Sequence, residues 1–422
     1  MFDYDVIILG GGLAYTGAEL LRNRGLKVAI VEKERENLGG VCLHYGCIPT
    51  KLYLFEAQKL YDMKMSRLID WKDGNLKLKS LVEHKDKLRK RLKDDIEKLL
   101  KGVDLLYGEG RLTDKYTVSV GERYIKGRYI IINTGKRQAS GFGIDPDGRK
   151  VLTTDHILNL DSLPEKLDIV GDDPIAFEFA TFFAILGSQV RLYFDDPLSF
   201  SHPSIKNRLL KNLDSLGISL YTSRDFKKEV ENTTLLVKKR IPNSECVGNL
   251  LQKDEYGHII VDAHYEASIK DHYAVGDVNG LSQTAHAARL QSISVSKRIL
   301  GEKGFYIKPE DVPYVLYTLP LSYAKVGLTK VDLEKRGIRY TEKSVSLRAF
   351  ASSHIHHSED GMCFLYFDSK GFLIGCEILS KGAGEVISSI TVSLHAELDL
   401  NLMSRLPIPH PTLSEIPFLR LM

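Results

Sequence analysis

The sequence predicts an α/β protein built on two βαβ units, followed by a C-terminal region of mixed α+β pattern. Three observations carry that expectation. An apolar strand runs straight into a glycine turn at Val6-Ile7-Ile8-Leu9-Gly10-Gly11-Gly12. A second apolar strand, Leu167-Asp168-Ile169-Val170, meets another turn at Gly171. After Gly301 the pattern changes to separate strand-like stretches and one late helix.

The elements follow in order. Val6 to Leu9 is the continuous apolar run of a parallel strand covered on both faces. Ala18, Leu20 and Leu21 suit a helix closed by Gly25, and Val28 to Val31 is the next strand, ending at Glu32. Leu81 to Leu100 reads as a long amphipathic helix, with Leu88, Leu92, Ile96 and Leu99 on one face and a solvated basic face opposite. The second unit repeats the first. A helix runs to about Ile185, Gly187 ends it, and a strand covers Val190 to Phe194. Later strands are expected around Ala324-Lys325-Val326, from Cys363 to Phe367 and at Leu373-Ile374, with a helix from Gly384 to Leu398. Pro407, Pro409 and Pro411 mark an irregular tail. The expected division is 1–150, continued by 271–310, for one Rossmann-like domain, 151–270 for a shortened second one, and 311–422 for the C-terminal domain.

The chain has 422 residues, too many for one compact core. A formal net charge of +3 gives no reason to expect a nucleic-acid partner. No apolar run approaches the ~20 residues that span a bilayer. The first strand begins at once, so no signal peptide is expected. With five cysteines in 422 residues, the expected compartment is a reducing cytoplasm, where a close cysteine pair is more often catalytic or metal-binding than structural.

Gly10-x-Gly12 after a strand, with Glu32 some way on, is a dinucleotide-binding fingerprint. Gly10 makes the tight turn. Gly12 lets the backbone approach a pyrophosphate at the helix N-terminus, and Glu32 accepts hydrogen bonds from the adenosine ribose. Tyr15 stands at the third glycine position, so helix packing there must differ.

Next comes Gly39-Gly40-Val41-Cys42-Leu43-His44-Tyr45-Gly46-Cys47-Ile48-Pro49-Thr50-Lys51. Two cysteines this far apart can be ordinary buried thiols. A helical turn would instead bring them within disulfide range, Cα atoms about 5.5 Å apart. A helix N-terminus would favour the thiolate.

With its flanks, this stretch resembles the redox motif of the FAD-containing pyridine nucleotide–disulfide oxidoreductases, the family of dihydrolipoamide dehydrogenase, glutathione reductase and mercuric reductase. The resemblance covers nearly the whole chain, with motifs in the family's order. It implies FAD as cofactor, Cys42 as the interchange thiol and Cys47 as the flavin-facing one. Lys51 matches the lysine near flavin N5, and Glu178 the glutamate that pairs with it. Gly40, and Thr134 with Gly135 after Tyr129-Ile130-Ile131-Ile132, fall on the FAD side. Asp277, in Tyr273-Ala274-Val275-Gly276-Asp277, matches the aspartate that binds the ribitol. Thr284 and Ala285 begin a helix whose N-terminus would face the flavin pyrimidine edge.

His410-Pro411-Thr412-Leu413-Ser414-Glu415 resembles the family's C-terminal tail. There the histidine exchanges a proton with the substrate dithiol and the glutamate supports the imidazolium. In the family that histidine reaches the cysteines of the other subunit. The resemblance therefore implies a homodimer with shared active sites, and makes 311–422 a dimerisation domain. The tail is most similar to dihydrolipoamide dehydrogenases, which implies a small dithiol or lipoyl-protein substrate.

The second unit breaks the pattern. It reads Gly171-Asp172-Asp173-Pro174, with Asp173 in place of the glycine that lets pyrophosphate approach. Two unit charges ~5 Å apart repel by about 3 kcal/mol at an effective dielectric of ~20. Phe194 stands where NAD-preferring members carry an acid, and the segment from Asp225 to Lys239 is shorter than the family's strand meander. Impaired or absent NAD(P)H use is expected. A divergent site that still binds NADH remains the alternative at this position. For the whole chain, the alternatives are a reductase fed by a partner protein or thiol, and a non-catalytic flavin-binding paralogue. His354, His356 and His357 read as an exposed loop and not as metal ligands. Cys246, Cys363 and Cys376 read as ordinary thiols.

Overall fold

A computed structural model describes residues 1–66, 68, 75–138, 143–196, 198–227, 229–237 and 240–418. The helices that carry candidate groups are α1 (Tyr15–Asn23), α2 (Gly40–His44), α3 (Cys47–Met65), α4 (Leu78–Leu99), α5 (Pro174–Leu186), α6 (Ala285–Ile299) and α7 (Ala383–His395). The chain divides into two compact units. One comprises Met1–Thr50, Val82–Ser140 and Lys239–Pro309, the other Lys51–Leu81, Gly141–Lys238 and Glu310–Met422.

The first unit is built on a parallel sheet. Tyr4–Leu9 lies between Val28–Glu32 and Arg123–Ile132, with Asp104–Tyr107 beyond Val28–Glu32 and His272–Ala274 alongside Arg123–Ile132. Successive strand side chains point to opposite faces. Val6 and Ile8 thus join Ala18 and Leu21 of α1 and Val295 of α6, whereas Ile7 and Leu9 meet Val118, Val120 and Leu112. Both faces are covered, which is why the strand reads as an unbroken apolar run. The second face is covered by an antiparallel arm of Gly110–Leu112, Thr117–Val120 and the first half of Arg123–Ile132. That half-strand reads Arg123-Tyr124-Ile125-Lys126-Gly127-Arg128, so only the apolar Tyr129–Ile132 end is visible in the sequence pattern.

Residues 240–270, assigned by sequence to the second domain, pack instead in the first unit. Arg240–Pro242 pairs antiparallel with Lys136–Gln138, and Val247, Leu251 and Ile259 enter the core around Ile7 and Ile130. These apolar residues lie in irregular backbone, where no period announces which core they join.

The second unit holds the other Rossmann-like sheet, in the order Ser219–Thr222, Gln189–Phe194, Lys166–Val170, Thr233–Leu236, Val151–Leu152, all parallel. Between Asp225 and Lys239, the segment expected to be shorter than the family's strand meander, the described residues form the short strand Thr233–Leu236; residues 228, 238 and 239 lie outside the described residues. Helix α5 is buried almost all round, including Phe177, Phe179, Phe182 and Phe183. The same unit contains a five-stranded antiparallel sheet, Tyr314–Leu316, Ser322–Gly327, Leu373–Ser380, Met362–Phe367 and Thr341–Ser346, packed on α7. The architecture is thus two Rossmann-like nucleotide-binding domains and a C-terminal α+β domain.

Candidate active site

The first glycine turn is shaped by what packs on it. Gly10 has φ +100°, a left-handed conformation that favours glycine, and a Cβ there would strike the carbonyl oxygen of Asn133. The N–H of Gly11 donates to Glu32 Oε2 at 2.6 Å and that of Lys33 to Oε1 at 2.8 Å. Burial pushes the Glu32 carboxyl up, and these backbone donors pull it back. A Cβ on Gly40 would stand 2.9 Å from Gly12 Cα, so backbone meets backbone there. Asn133 is the hub. Its Nδ2 donates to the Gly10 carbonyl at 3.3 Å, and its Oδ1 lies 3.3 Å from where a Gly276 Cβ would be. Asp277 follows in the 3-10 turn Gly276–Asn279. In the sequence, the signal for Asn133 is a polar residue closing the apolar run Tyr129 to Ile132.

Thr134 donates its hydroxyl to the Asn243 carbonyl at 2.6 Å, and Gly135 accepts the Asn243 N–H at 2.9 Å, tying the strand end to residues 240–243. Thr284 caps α6, accepting the Ala287 N–H, and Ala285 is the first helical residue. Tyr15 opens α1, and the close approach falls two residues later. A Cβ on Gly17 would overlap Ser292 Oγ and Ser296 Oγ of α6. The tight contact is therefore helix to helix. Backbone cradle, acid and capped helix together fit a dinucleotide, and Gly10, Gly12, Glu32, Gly40, Asp277 and the start of α6 are the candidates to hold it.

The two cysteines do not share one helical turn, as the spacing suggested. Cys42 lies in α2, and Cys47 is the first residue of α3. The helices part at Tyr45-Gly46 because Gly46 packs against the end of α2; a Cβ there would stand 3.2 Å from Cys42 Cα. Cys42 is half-buried and Cys47 exposed. Between them His44 is buried, with Nε2 2.8 Å from the Leu38 carbonyl and Nδ1 3.2 Å from an Arg89 guanidinium nitrogen. Arg89 can only donate. Nδ1 therefore accepts, and Nε2 carries the hydrogen given to Leu38. Burial, then the Arg89 charge, push this imidazole below its usual range.

In the second unit, α3 brings Lys51 to Glu178 of α5. The ammonium lies 2.6 Å from both carboxylate oxygens. Glu178 is buried and Lys51 one-third exposed, 3% against 33%. His410 and Glu415 also meet: Nδ1 is 2.9 Å from Oε2, with the carboxylate buried and the ring exposed. The Ser352 hydroxyl donates to the other oxygen at 3.4 Å. A fixed carboxylate on Nδ1 leaves Nε2 for proton transfer.

The second glycine turn looks different. Asp173 caps α5, its carboxylate accepting the Ile175 N–H at 3.0 Å, and Pro174 supplies no N–H. Asp172 accepts the Asp195 N–H at 2.7 Å, and Phe194 packs edge-on against Phe177, ring centroids 5.5 Å apart. Among the described residues no His, Cys, Asp and Glu cluster could hold a metal. His354 belongs to the helical turn Ala351–Ile355 and not to a loop, its ring 2.9 Å from the Arg348 carbonyl. Cys363 and Cys376 are buried side by side. Among the described residues, no helix is long and apolar enough to cross a membrane.

This fold, with a dinucleotide cradle and a cysteine pair beside it in sequence, defines an FAD-dependent disulfide oxidoreductase. The pyridine nucleotide-disulphide oxidoreductase family matches residues 4–292 and its dimerisation domain residues 312–418, and the chain belongs to that family. It is 29% identical over 447 residues to the dihydrolipoyl dehydrogenase of Mycoplasma pneumoniae, covering 98% of this chain and 97% of the relative. It is 30% identical over 460 residues to the dihydrolipoamide dehydrogenase of Chaetomium thermophilum, covering 98% and 89%. Its fold is similar to the HOCl-induced flavoprotein disulfide reductase RclA from Escherichia coli, with TM-score 0.85, 22% identity and 98% of each chain covered. It is also similar to LpdA from Mycobacterium tuberculosis, with TM-score 0.88, 21% identity and 98% of each covered. FAD is the cofactor of the family.

Proposed function

We propose that this protein oxidises or reduces a small dithiol or a lipoyl group through Cys42 and Cys47, with nicotinamide use impaired or absent. In the oxidising direction a substrate thiolate attacks the Cys42–Cys47 disulfide at Cys42 and releases Cys47. The second substrate thiol then displaces Cys42. The substrate gains one S–S bond and gives up two electrons and two protons, and the cysteines become two thiols. Nε2 of His410, oriented by Glu415, takes the proton from the attacking thiol. Bound FAD supplies the two-electron acceptor that returns the cysteines to the disulfide. Lys51, held by Glu178, offers a fixed positive charge on the flavin side. The dimerisation domain supports a homodimer in which each His410 serves the partner's cysteines.

One observation carries the nicotinamide part of the proposal. The Asp173 carboxylate takes the N–H at the start of α5 that a pyrophosphate would need. A second anion would lose that donor and meet like charge. The same cap favours delivery of electrons by a partner protein or small thiol.

Anaerobic titration with dihydrolipoamide, followed by the flavin spectrum, tests the thiol half. Reduction of wild type but not of Cys42→Ser is expected. Equal reduction of both would remove the cysteine pair from the reaction.

A further inference from the structure

We infer that Tyr317 is a positioning residue for the Lys51–Glu178 pair, seating the lysine ammonium through the face of its ring. The inference rests on the proposed placement of Lys51 beside the flavin.

Tyr317 touches both members of the pair. Its backbone N–H donates to Glu178 Oε1 at 3.2 Å. Its ring centre lies 4.3 Å from Lys51 Nζ, within cation–π range. Oε1 thus accepts from Lys51 and from Tyr317, while Oε2 accepts from Lys51. The carboxylate sets where the ammonium can sit, and the ring limits where it can swing.

The tyrosine is itself fixed. It follows the strand Tyr314–Leu316, and two residues on the Leu319 N–H donates to Thr181 Oγ1 at 3.3 Å. Thr181 lies on α5 three residues beyond Glu178. The Thr318 hydroxyl donates to the Leu321 carbonyl at 2.7 Å, closing the turn that follows. A Cβ on Gly384, at the start of α7, would stand 3.0 Å from the Tyr317 hydroxyl, so the tip of this partly exposed ring rests beside that glycine. A lysine one-third exposed has many rotamers to lose. A ring held at two backbone points lowers that cost by leaving it fewer.

The chemistry follows from position. A positive charge at a fixed distance favours electrons arriving on its neighbour more than one that wanders into solvent. Removing the ring leaves the Tyr317 N–H and the Glu178 carboxylate in place, and the seating of the ammonium is lost.

The test compares FAD-loaded wild type with Tyr317→Phe, Tyr317→Leu, Tyr317→Met and Lys51→Met, reading the flavin midpoint potential and the rate of flavin reduction by dihydrolipoamide. Y317L and Y317M should shift the potential to more negative values, in the direction of K51M but less far. They should slow reduction roughly 2- to 10-fold, the range that loss of one cation–π contact allows. Y317F keeps the ring face and should match wild type in both. Y317M reads the same loss if Y317L does not fold. If K51M shifts the potential and the leucine and methionine variants do not, the inference is overturned. An equal shift in Y317F also overturns it, because the hydroxyl and not the ring face would then be responsible. If K51M itself leaves the potential unchanged, the placement of Lys51 beside the flavin fails, and the inference with it.

Discussion

Asp173 caps α5 with its own carboxylate, accepting the backbone N–H of Ile175 at 3.0 Å. An internal anion holds the place where an open α/β sheet usually receives an external one. Asp173→Gly should therefore raise the rate of flavin reduction by NADH by roughly tenfold or more, since relief of one like-charge contact is worth one to three kcal/mol at an effective dielectric of ~20. The same change replaces a side-chain N-cap by glycine and should cost only about a few tenths of a kcal/mol of stability. Stopped-flow mixing and thermal melts read the two effects separately. Unchanged reactivity towards NADH would mean that the cap is not what limits it.

His410 and Glu415 should be unequal in effect. His410→Ala removes the proposed base and should lower the rate of dihydrolipoamide oxidation about 10²- to 10⁴-fold. Glu415→Gln keeps a hydrogen-bond partner for Nδ1 but removes the buried charge, and should cost less than His410→Ala. Steady-state kinetics of the two variants, with FAD content checked by absorbance, gives the order. A glutamine variant as slow as the alanine one would contradict it.

Gly17 sets the approach of α1 to α6. Its substitution by alanine puts a methyl group onto Ser292 Oγ and Ser296 Oγ, with the Ser292 carbonyl oxygen 3.0 Å away. Overpacking of this kind costs about 1–3 kcal/mol. Gly17→Ala should lower the unfolding midpoint, and Ser292→Ala in the same chain should recover part of the loss. No recovery would place the strain on the backbone rather than on the hydroxyls.

His44 links stability to pH. Burial holds its folded pKa below the ordinary value, so below about pH 6.5 the unfolded chain takes up the proton first. Stability contributed by neutral His44 is present above that pH and is lost as pH falls through it towards the lower folded pKa. His202 and His272 are pushed down by burial in the same sense, whereas Glu32 and Glu377 are pushed up and act oppositely. The difference between wild type and His44→Gln isolates one group. Between pH 7.5 and 5.5 wild type should lose more stability than the variant in denaturant titrations; parallel losses would refute the assignment.

What was legible in the sequence follows from how each residue is held. Val6 to Leu9 and Leu167 to Val170 show as apolar runs because both faces of those strands are covered. Arg123 to Arg128 did not show, since that end of the strand belongs to a half-exposed antiparallel arm. The long basic helix was visible from its spacing but starts at Leu78, three residues early. Cys42 and Cys47 were legible as a motif. The break between α2 and α3 was not, because it depends on Gly46 lying against Cys42. Lys51 and Glu178 are 127 residues apart in sequence, and only the resemblance paired them. Asn133 and Tyr317 could not be found that way. Each works through partners more than 100 residues distant, Gly10 and Glu178; the polar end of an apolar strand is the local sign of Asn133, and Tyr317 has no such sign.

The thiol side and the nicotinamide side make opposite demands on one flavin, and a single anaerobic stopped-flow experiment on the wild-type protein compares them. FAD-loaded protein is mixed with excess dihydrolipoamide or with excess NADH, and flavin absorbance is followed. Rapid bleaching by dihydrolipoamide, with slow or absent bleaching by NADH, is the expected result. Rapid reduction by NADH at micromolar concentrations would contradict the role given to Asp173.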